Sequence, residues 1–326
     1  MHDLGANFEA VILDATQARS LKVTEIIQQL WSGYGKVLRI QLREGSVETV
    51  VVKHVCMPNV HNHPRGWNST LSHERKVRSY EVEIAWYRDW SERCISESRL
   101  PRCLAYKCID EEVLIVLEDL DQAGFPARLD HVEWRQIEIC LWWLAQFHAI
   151  YMGEAPRGLW SVGTYWHLET RPEELASLKD LSLKGAAHSI DARLKAAQYQ
   201  TFVHGDAKLA NFCFSEDGER VAAVDFQYVG GGCGMKDVAY FIGSCLNERA
   251  CVRREEALLD CYFTGLRKAL AQQQPEIDAL AVVTEWRELF PWAWTDFHRF
   301  LKGWSPRHWK INGYSERLAA KVVASL

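Results

Sequence analysis

Apolar and polar side chains alternate in two neighbouring segments near the start of the chain. KVLRIQL and VETVVVKHV place an apolar residue at about every second position, and Glu44-Gly45-Ser46 between them has the composition of a turn. This period of two is typical of strands, so the sequence predicts a hairpin. The preceding segment LKVTEIIQQL has apolar residues at helical spacing, which predicts a helix after Ser20.

Helical spacing returns after a loop of about residues 56–72 that is rich in His, Pro, Asn and Gly. The segment HERKVRSYEVEIAWYRDW brings Val77, Tyr80, Ile84 and Tyr87 to recurring positions, so we expect a helix directly after the hairpin. LAYKC and the strongly apolar VLIVLEDL come next and predict buried strands.

The pattern changes after Leu120, where strands give way to helices. IEICLWWLAQFHAIYM is apolar on almost every side and predicts a central helix. The remaining chain has mainly helical patterns, except that FVHGDAKLANFCFS and RVAAVDFQYV predict two short strands around a turn at Glu216-Asp217-Gly218. No repeat, low-complexity tract or long linker divides the chain, so we expect a hinge near residues 119–122 inside one unit.

Composition restricts the classes of function. The chain has 326 residues, 48% of them hydrophobic, and a formal charge of −5, which gives no excess of positive charge for binding nucleic acid. The start is acidic and no run approaches about 18 apolar residues, so we expect a cytoplasmic protein without a membrane span. The ten cysteines are scattered without a CxxC pair, which predicts reduced thiols.

One stretch has the residues that phosphoryl transfer requires. His204-Gly205-Asp206 is followed by Asn211 and, at the end of the apolar run VAAV, by Asp225. The reaction needs a carboxylate beside the attacking hydroxyl and oxygen ligands for magnesium near the phosphates. Each residue alone is more typical of a turn or a strand-end cap, but the combination indicates a phosphotransferase site.

The pattern HGDxxxxN followed by a strand that ends in Asp resembles the motif of the aminoglycoside phosphotransferase and choline kinase superfamily. VLIVLEDL, VEIAWY and VDFQ are most similar to its ecdysteroid-kinase-like branch, over about residues 30–300. The resemblance implies an α+β, two-lobed protein-kinase-like fold. It also implies an N-terminal nucleotide-binding lobe of residues 1–119 with an antiparallel sheet plus a helix, a mainly helical lobe of residues 120–326, and a hinge at about 117–122.

The resemblance also implies roles for residues of the motif. Asp206 would be the catalytic base that orients the substrate hydroxyl, and Asn211 and Asp225 would be the Mg²⁺ ligands. Lys208, two residues after the base, would steady the transferring phosphoryl group. His204 is expected to support the loop through hydrogen bonds.

In the N-terminal half, Lys53 in VVVKHV resembles the strand lysine that reaches the α- and β-phosphates of ATP. Its carboxylate partner from the next helix would be Glu83, with Glu81 as the alternative, because only one of the two can point inward. A lysine in so apolar a strand needs such a partner if it is buried.

Two further segments are candidates for nucleotide contacts. Gly33-Tyr34-Gly35 can bring backbone amides to the phosphates, although a plain turn is an equally good interpretation. Glu118-Asp119-Leu120 resembles the hinge, where backbone groups of about residues 118–120 would bind adenine.

The chain departs from protein kinases after Asp225. Gln227 replaces the glycine of DFG, and YVGGGCGMKDVAYF is too short for an activation segment, which disfavours a protein substrate. Asp237 resembles a structural residue that braces the catalytic loop. We therefore expect an ATP- and Mg²⁺-dependent kinase of a small-molecule alcohol. The alternative is a catalytically silent nucleotide-binding protein on the same fold.

The sequence leaves the acceptor open among choline-like, amino-sugar, sterol and macrolide alcohols, and it indicates neither the oligomeric state nor a choice between ATP and GTP. Trp292, Trp294 and Trp304 can form a cage for a quaternary ammonium, a flat apolar wall, or simply core. Histidines also cluster around the loop after the hairpin, where a solvated loop or a flap is favoured over a zinc site. They are His54, His61, His63 and His73.

Overall fold

The computed structural model describes residues 4–30, 33–56, 70–109 and 112–326. Its first part is a helix, α1, followed by a five-stranded antiparallel sheet with the strand order β1-β2-β3-β5-β4, and a long helix, α2, between β3 and β4. The bounds are α1 Ala6–Thr16, β1 Ser20–Gln29, β2 Gly35–Arg43, β3 Thr49–Cys56, α2 Thr70–Asp89, β4 Cys103–Ile109 and β5 Glu112–Glu118.

The helix predicted after Ser20 is wrong, because this segment is β1. It pairs with β2 along its whole length, but the register shifts between Val23 and Glu25 and again between Ile26 and Gln28. Each shift adds a residue to one strand and breaks the strict period of two. The apolar positions therefore fell at spacings that resemble a helix. The hairpin of β2 and β3, and the strands β4 and β5, are as predicted.

The two faces of the sheet have different neighbours. Val50 and Val52 of β3 point to one face, where they join a hydrophobic cluster with Phe8 and Ile12 of α1. Since successive residues of a strand point to opposite faces, Lys53 lies on the other face, which is the side of α2 and of the helical part of the chain.

The second part of the chain is mainly helical and begins where β5 ends. Its helices are α3 Trp134–Ile150, α4 Pro172–Ser177, α5 Leu181–Lys195, α6 Met235–Cys245, α7 Glu248–Gln273, α8 Ala279–Trp304 and α9 Gly313–Ala324. As predicted, α3 is central, with side chains such as Trp143 and Phe147 almost fully buried. The sheet and the helical region together confirm the α+β, protein-kinase-like fold.

Two small ladders position the polar motif. They are formed by β6 Thr201–Val203 with β9 Gly230–Gly232, and by β7 Phe212–Phe214 with β8 Val221–Ala223. The loop between β6 and β7 therefore lies beside the loop between β8 and β9. These two loops contain the sequence motif and Asp225.

All ten cysteines lie in the described residues, and none forms a disulfide. Among the helices of the described ranges, none has the length and apolar composition needed to cross a membrane.

Candidate active site

The loop between β6 and β7 is held by hydrogen bonds to a side chain of α6. Asp237 accepts hydrogen bonds from the backbone N–H of His204 at 2.5 Å and of Gly205 at 2.9 Å. Gly205 has a φ of 80°, and a Cβ there would lie 2.1 Å from the carbonyl oxygen of Tyr228, so only glycine fits. Asp237 thus makes the bracing contacts that the sequence predicted.

His204 is fully buried and has a partner at each ring nitrogen. Nδ1 accepts the N–H of Asp206 at 3.2 Å, so Nε2 carries the proton and donates to the carbonyl of Val224 at 3.0 Å. These contacts fix the loop against the end of β8. They leave no ring nitrogen for proton transfer, in agreement with a supporting function.

The carboxylate of Asp206 has hydrogen-bond donors on both oxygens. Oδ2 accepts from Lys208 Nζ at 2.9 Å and from Asn211 Nδ2 at 3.1 Å, and Oδ1 accepts from the hydroxyl of Tyr240 at 3.1 Å. Burial raises the pKa of Asp206, and the charge of Lys208 counteracts part of this rise. Tyr240 was not predicted, although it lies three residues after Asp237 and therefore on the same face of α6.

Asp225 follows β8 and has a left-handed backbone with a φ of 71°. Its Oδ1 accepts from Gln227 Nε2 at 2.8 Å and lies 3.4 Å from Lys53 Nζ. Burial acts to raise the pKa of Asp225, but the positive charges of Lys53 and Lys208 outweigh it and hold the pKa at about 2. The carboxylate is therefore ionised at every physiological pH.

Two side-chain oxygens, one on Asn211 and one on Asp225, accept no hydrogen bond from the described residues. The N–H of Val224 donates to the carbonyl of Asn211 at 3.0 Å, which ties the two loops together. Within the described residues, Oδ1 of Asn211 and Oδ2 of Asp225 accept no hydrogen bond. An amide oxygen and a carboxylate oxygen are the hard donors that Mg²⁺ prefers, so the residues fit a divalent cation.

Lys53 crosses from the sheet to α2. Its Nζ lies 2.6 Å from Oε2 of Glu83, and both side chains are buried. Burial alone would lower the pKa of Lys53, but the carboxylates of Glu83 and Asp225 outweigh it and raise the pKa. The alternative partner, Glu81, is exposed and contacts Arg78 at 3.0 Å, so the predicted pairing with Glu83 is the one present.

Of the glycines proposed for phosphate contacts, Gly33 lies just before β2 and Gly35 is its first residue. Gly35 has a φ of 129°, and a Cβ there would lie 2.0 Å from the carbonyl oxygen of His54. Its close approach to β3 therefore explains this glycine. Gly33 has a φ of 77° with open space around it, and its N–H donates to the carbonyl of Leu30 at 3.3 Å.

The backbone N–H groups of the hinge segment differ in their hydrogen bonds. The N–H of Glu118 is bonded to the carbonyl of Arg102 at 2.9 Å, and its carboxylate pairs with Arg99 at 2.6 Å. The N–H of Leu120 finds no acceptor in the part of the chain that the structure describes. The N–H of Leu120, unlike that of Glu118, is thus available to adenine, and the contact itself stays a prediction.

Comparison with known proteins shows the family of this chain. The family model described as "Ecdysteroid kinase-like family" matches residues 68–154 and 163–274, more than half of the chain. The chain belongs to the ecdysteroid kinase-like family. No curated protein matches it.

Two solved structures are similar to this ecdysteroid kinase-like protein. A microcompartment-associated aminopropanol kinase has a TM-score of 0.50 and 12% sequence identity, over 99% of this chain and 94% of that chain. The GDP complex of wild-type aminoglycoside 2'-phosphotransferase-IIIa has a TM-score of 0.50 and 11% identity, over 99% of each chain. At such low identity these likenesses show the fold.

The three tryptophans proposed as a cage in this ecdysteroid kinase-like chain do not surround one site. Trp292 and Trp294 are two positions apart on α8 and point to different sides of the helix, and Trp294 packs edge-on against Tyr314 with ring centroids 4.8 Å apart. Trp304 lies about 15 Å further along the helix axis and stacks on Phe300. Trp294 is thus a packing residue of the core, whereas Trp304 keeps 42% of its surface exposed.

A different aromatic group lies beside Asp206. The ring of Tyr240, whose hydroxyl reaches the carboxylate, contacts Tyr165 with centroids 5.7 Å apart. Lys310 Nζ lies 5.0 Å from the centroid of Tyr240 and 5.6 Å from that of Phe297. Burial lowers the pKa of Lys310 to about 8. None of these residues was identified from the sequence, because they come from four separate segments.

The proposed histidine loop is only partly described, since His61 and His63 lie outside the described residues. His73 Nδ1 is 2.7 Å from the hydroxyl of Tyr34. His54 Nε2 lies 2.7 Å from Oε2 of Glu112, and Cys56, with its Sγ 3.5 Å from the same nitrogen, completes a group on the α1 face of the sheet. These three side chains are of types that bind metals, and the contact present between imidazole and carboxylate is a hydrogen bond.

Proposed function

We propose that this protein is an ATP- and Mg²⁺-dependent phosphotransferase that phosphorylates a hydroxyl group of a small molecule. The observation that carries the proposal is the position of Asp225. Its carboxylate lies 3.4 Å from Lys53 of the sheet, while Val224 beside it is bonded to Asn211 of the loop that contains Asp206. The residues that would bind phosphate, hold the metal and act as the base therefore lie close together.

Asn211 and Asp225 would hold the Mg²⁺ ion through their uncommitted oxygens. When bound, the ion would neutralise charge on the phosphates and so assist transfer. The anionic state of Asp225, with its pKa near 2, means that no proton has to leave before a cation binds.

Asp206 would orient the acceptor hydroxyl and take its proton. An ionised carboxylate has about four lone-pair sites, and three donors are present, so one more hydrogen bond can form. Lys208 is 40% exposed in its side chain and can turn from Asp206 to the phosphoryl oxygens as charge develops there.

The nucleotide would lie under the sheet. Lys53 would bind the α- and β-phosphates, the turn at Gly33 and Gly35 would cover them, and backbone groups from Glu118 to Leu120 would bind adenine. We accordingly propose lobes of residues 1–119 and 120–326 that meet at a hinge of about 117–122, in a cytoplasmic enzyme without a nucleic-acid or membrane partner.

The decisive experiment is a screen of the purified protein for ADP release with choline-like, amino-sugar, sterol and macrolide alcohols. Asp206→Asn is the test variant, and Asp217→Asn, in the exposed turn between β7 and β8, is the matched control. Acceptor-stimulated ADP release that Asp206→Asn abolishes and Asp217→Asn retains would support the proposal. Nucleotide binding without release for any acceptor would favour the silent alternative, and no nucleotide binding would contradict both.

A further inference from the structure

Gln227 connects α2 to the carboxylate of Asp225. Its Nε2 donates to Oδ1 of Asp225 at 2.8 Å, and its Oε1 accepts from Lys76 Nζ at 2.7 Å and from Ser79 Oγ at 3.2 Å. These contacts fix the orientation of the Gln227 amide, because its oxygen faces two donors and its nitrogen faces a carboxylate. This residue replaces the glycine of DFG, so a protein kinase-like chain with glycine has no counterpart of the connection.

Lys76 is a cation to which the described residues provide no ionic partner. In the described part of the chain no carboxylate lies within the 4.0 Å of an ion pair, and its contacts are the amide oxygen of Gln227 and the ring of Tyr80, whose centroid is 4.7 Å from Nζ. An ammonium has three N–H donors, and a neutral amide uses only one of them. The group can therefore bind an anion in addition.

The cleft has a second lysine whose situation differs. Lys53 is paired with Glu83 and lies near Asp225, so its charge is compensated. Lys76 and Glu83 are seven positions apart, about two helical turns, and thus project from the same face of α2. Lys76 and the ion pair of Lys53 with Glu83 therefore lie on the same side of the cleft.

Lys76 is close to the group that would hold the metal. With amide C=O and C–N bonds of about 1.2 and 1.3 Å, the path through Gln227 puts its Nζ no more than about 8 Å from Oδ1 of Asp225. Burial and the charge of Lys53 lower the pKa of Lys76 to about 8, while carboxylates including Asp225 and Asp206 act to raise it. The ammonium therefore lies within the field of both the metal carboxylate and the base, which is where the transferring phosphate must pass.

We propose that Lys76 binds the terminal phosphate of the nucleotide, an inference that rests on the proposed function. The phosphate supplies the missing negative charge, and Gln227 keeps the ammonium directed at the cleft in its absence. The site is a subsite for a phosphate monoanion or dianion between Asp225 and Asp206. Lys53 would bind the α- and β-phosphates, so each lysine would bind a different part of the triphosphate.

The experiment compares a β,γ-imido analogue of ATP with ADP, each with Mg²⁺ and without acceptor, by titration calorimetry. ADP lacks the terminal phosphate, so a contact with that phosphate affects the analogue alone. Lys76→Met keeps the length of the side chain over Tyr80 and removes the charge. It should weaken binding of the analogue about 10- to 100-fold and that of ADP by less than about threefold.

Two further variants separate the charge from the structural connection. Ser79→Ala removes the other donor to the Gln227 oxygen without changing the charge, and both affinities should stay within about twofold of wild type. Lys76→Arg keeps the cation and should retain most of the preference for the analogue. Thermal unfolding establishes the fold of each variant first, and Lys76→Gln replaces Lys76→Met if the latter does not fold.

The alternative outcomes are distinct. An equal loss of affinity for the analogue and for ADP in Lys76→Met would show that Lys76 acts on Asp225 through Gln227. This result would overturn the inference while the proposed function stands. Unchanged binding of both ligands would overturn it as well. Wild-type protein that binds neither ligand would contradict the proposed function and this inference together.

Discussion

Lys53 Nζ on β3 lies 2.6 Å from Oε2 of Glu83 on α2, and Glu83 is only 2% exposed. The ion pair joins the sheet to the helix at the edge of the cleft, where the phosphates of a nucleotide would lie. Because neither charge reaches water, each depends on the other. We therefore expect the pair to matter for the fold as well as for nucleotide binding.

Loss of Lys53 alone should destabilise the protein. Lys53→Met leaves the Glu83 carboxylate buried without a cation, which typically costs about 3–5 kcal/mol. The double variant Lys53→Met/Glu83→Gln should recover a large part of this free energy of unfolding in urea titrations. Glu81→Gln, on the exposed side of the same helix, is the control and should change stability by less than about 0.5 kcal/mol. Equal stability of the single and double variants would show that the pair is not coupled.

Asp206→Asn should abolish phosphoryl transfer while nucleotide affinity stays close to wild type, since in the proposed mechanism the carboxylate would act on the acceptor. Loss of a general base typically lowers kcat by about 10²- to 10⁴-fold. Steady-state kinetics combined with nucleotide titration measure the two properties separately. Full activity in this variant would remove Asp206 from the chemistry.

Asp225→Asn should remove the enhancement of nucleotide binding by Mg²⁺. The neutral amide retains the shape of the side chain and tolerates the left-handed backbone, but it lacks the charge that attracts the cation. Calorimetry with and without Mg²⁺ makes the comparison. The same Mg²⁺ enhancement in variant and wild type would mean that the cation binds elsewhere.

The acid side of the pH–activity profile should move when Lys208 is replaced. Asp206 must be ionised to act as a base, and its pKa is already raised by burial and held down by Lys208. Lys208→Met removes the charge that lowers this pKa, so the pKa rises further and kcat/KM should begin to fall at a higher pH as the solution is acidified. The alkaline limb should not follow this shift. Lys107→Met, at an exposed position of β4, is the control, and an acid limb that stays in place or moves to lower pH would contradict the assignment.

The sequence could predict the site where its residues are close together along the chain. Asp206, Lys208 and Asn211 lie within six positions, so their meeting depends on one loop. It could also predict the pairing of Lys53 with Glu83, because an apolar strand cannot bury a lysine alone. The roles of these residues in catalysis stay predictions.

The wrong or missing predictions concern features that depend on contacts between distant residues or on an irregular backbone. The bulges of β1 removed the period of two that identifies a strand. Glu112 lies directly across from Cys56 only because β5 pairs with β3 in that register. Tyr240 and Lys310 reach the neighbourhood of Asp206 from α6 and from the segment after α8, and no local pattern relates them. Gln227 was noticed as a departure, but its contacts with Lys76 required the packing of α2.

The backbone at Asp225 has a consequence for the evolution of this protein. A φ of 71° is a conformation that an L-amino acid other than glycine adopts at a cost of about 1–2 kcal/mol. Glycine would relieve that cost but would remove the carboxylate. The carboxylate also compensates the charge of the buried Lys53, 3.4 Å away, so the gain in the backbone and the loss of this charge oppose each other. Selection of random variants for thermal tolerance alone should therefore not enrich Asp225→Gly.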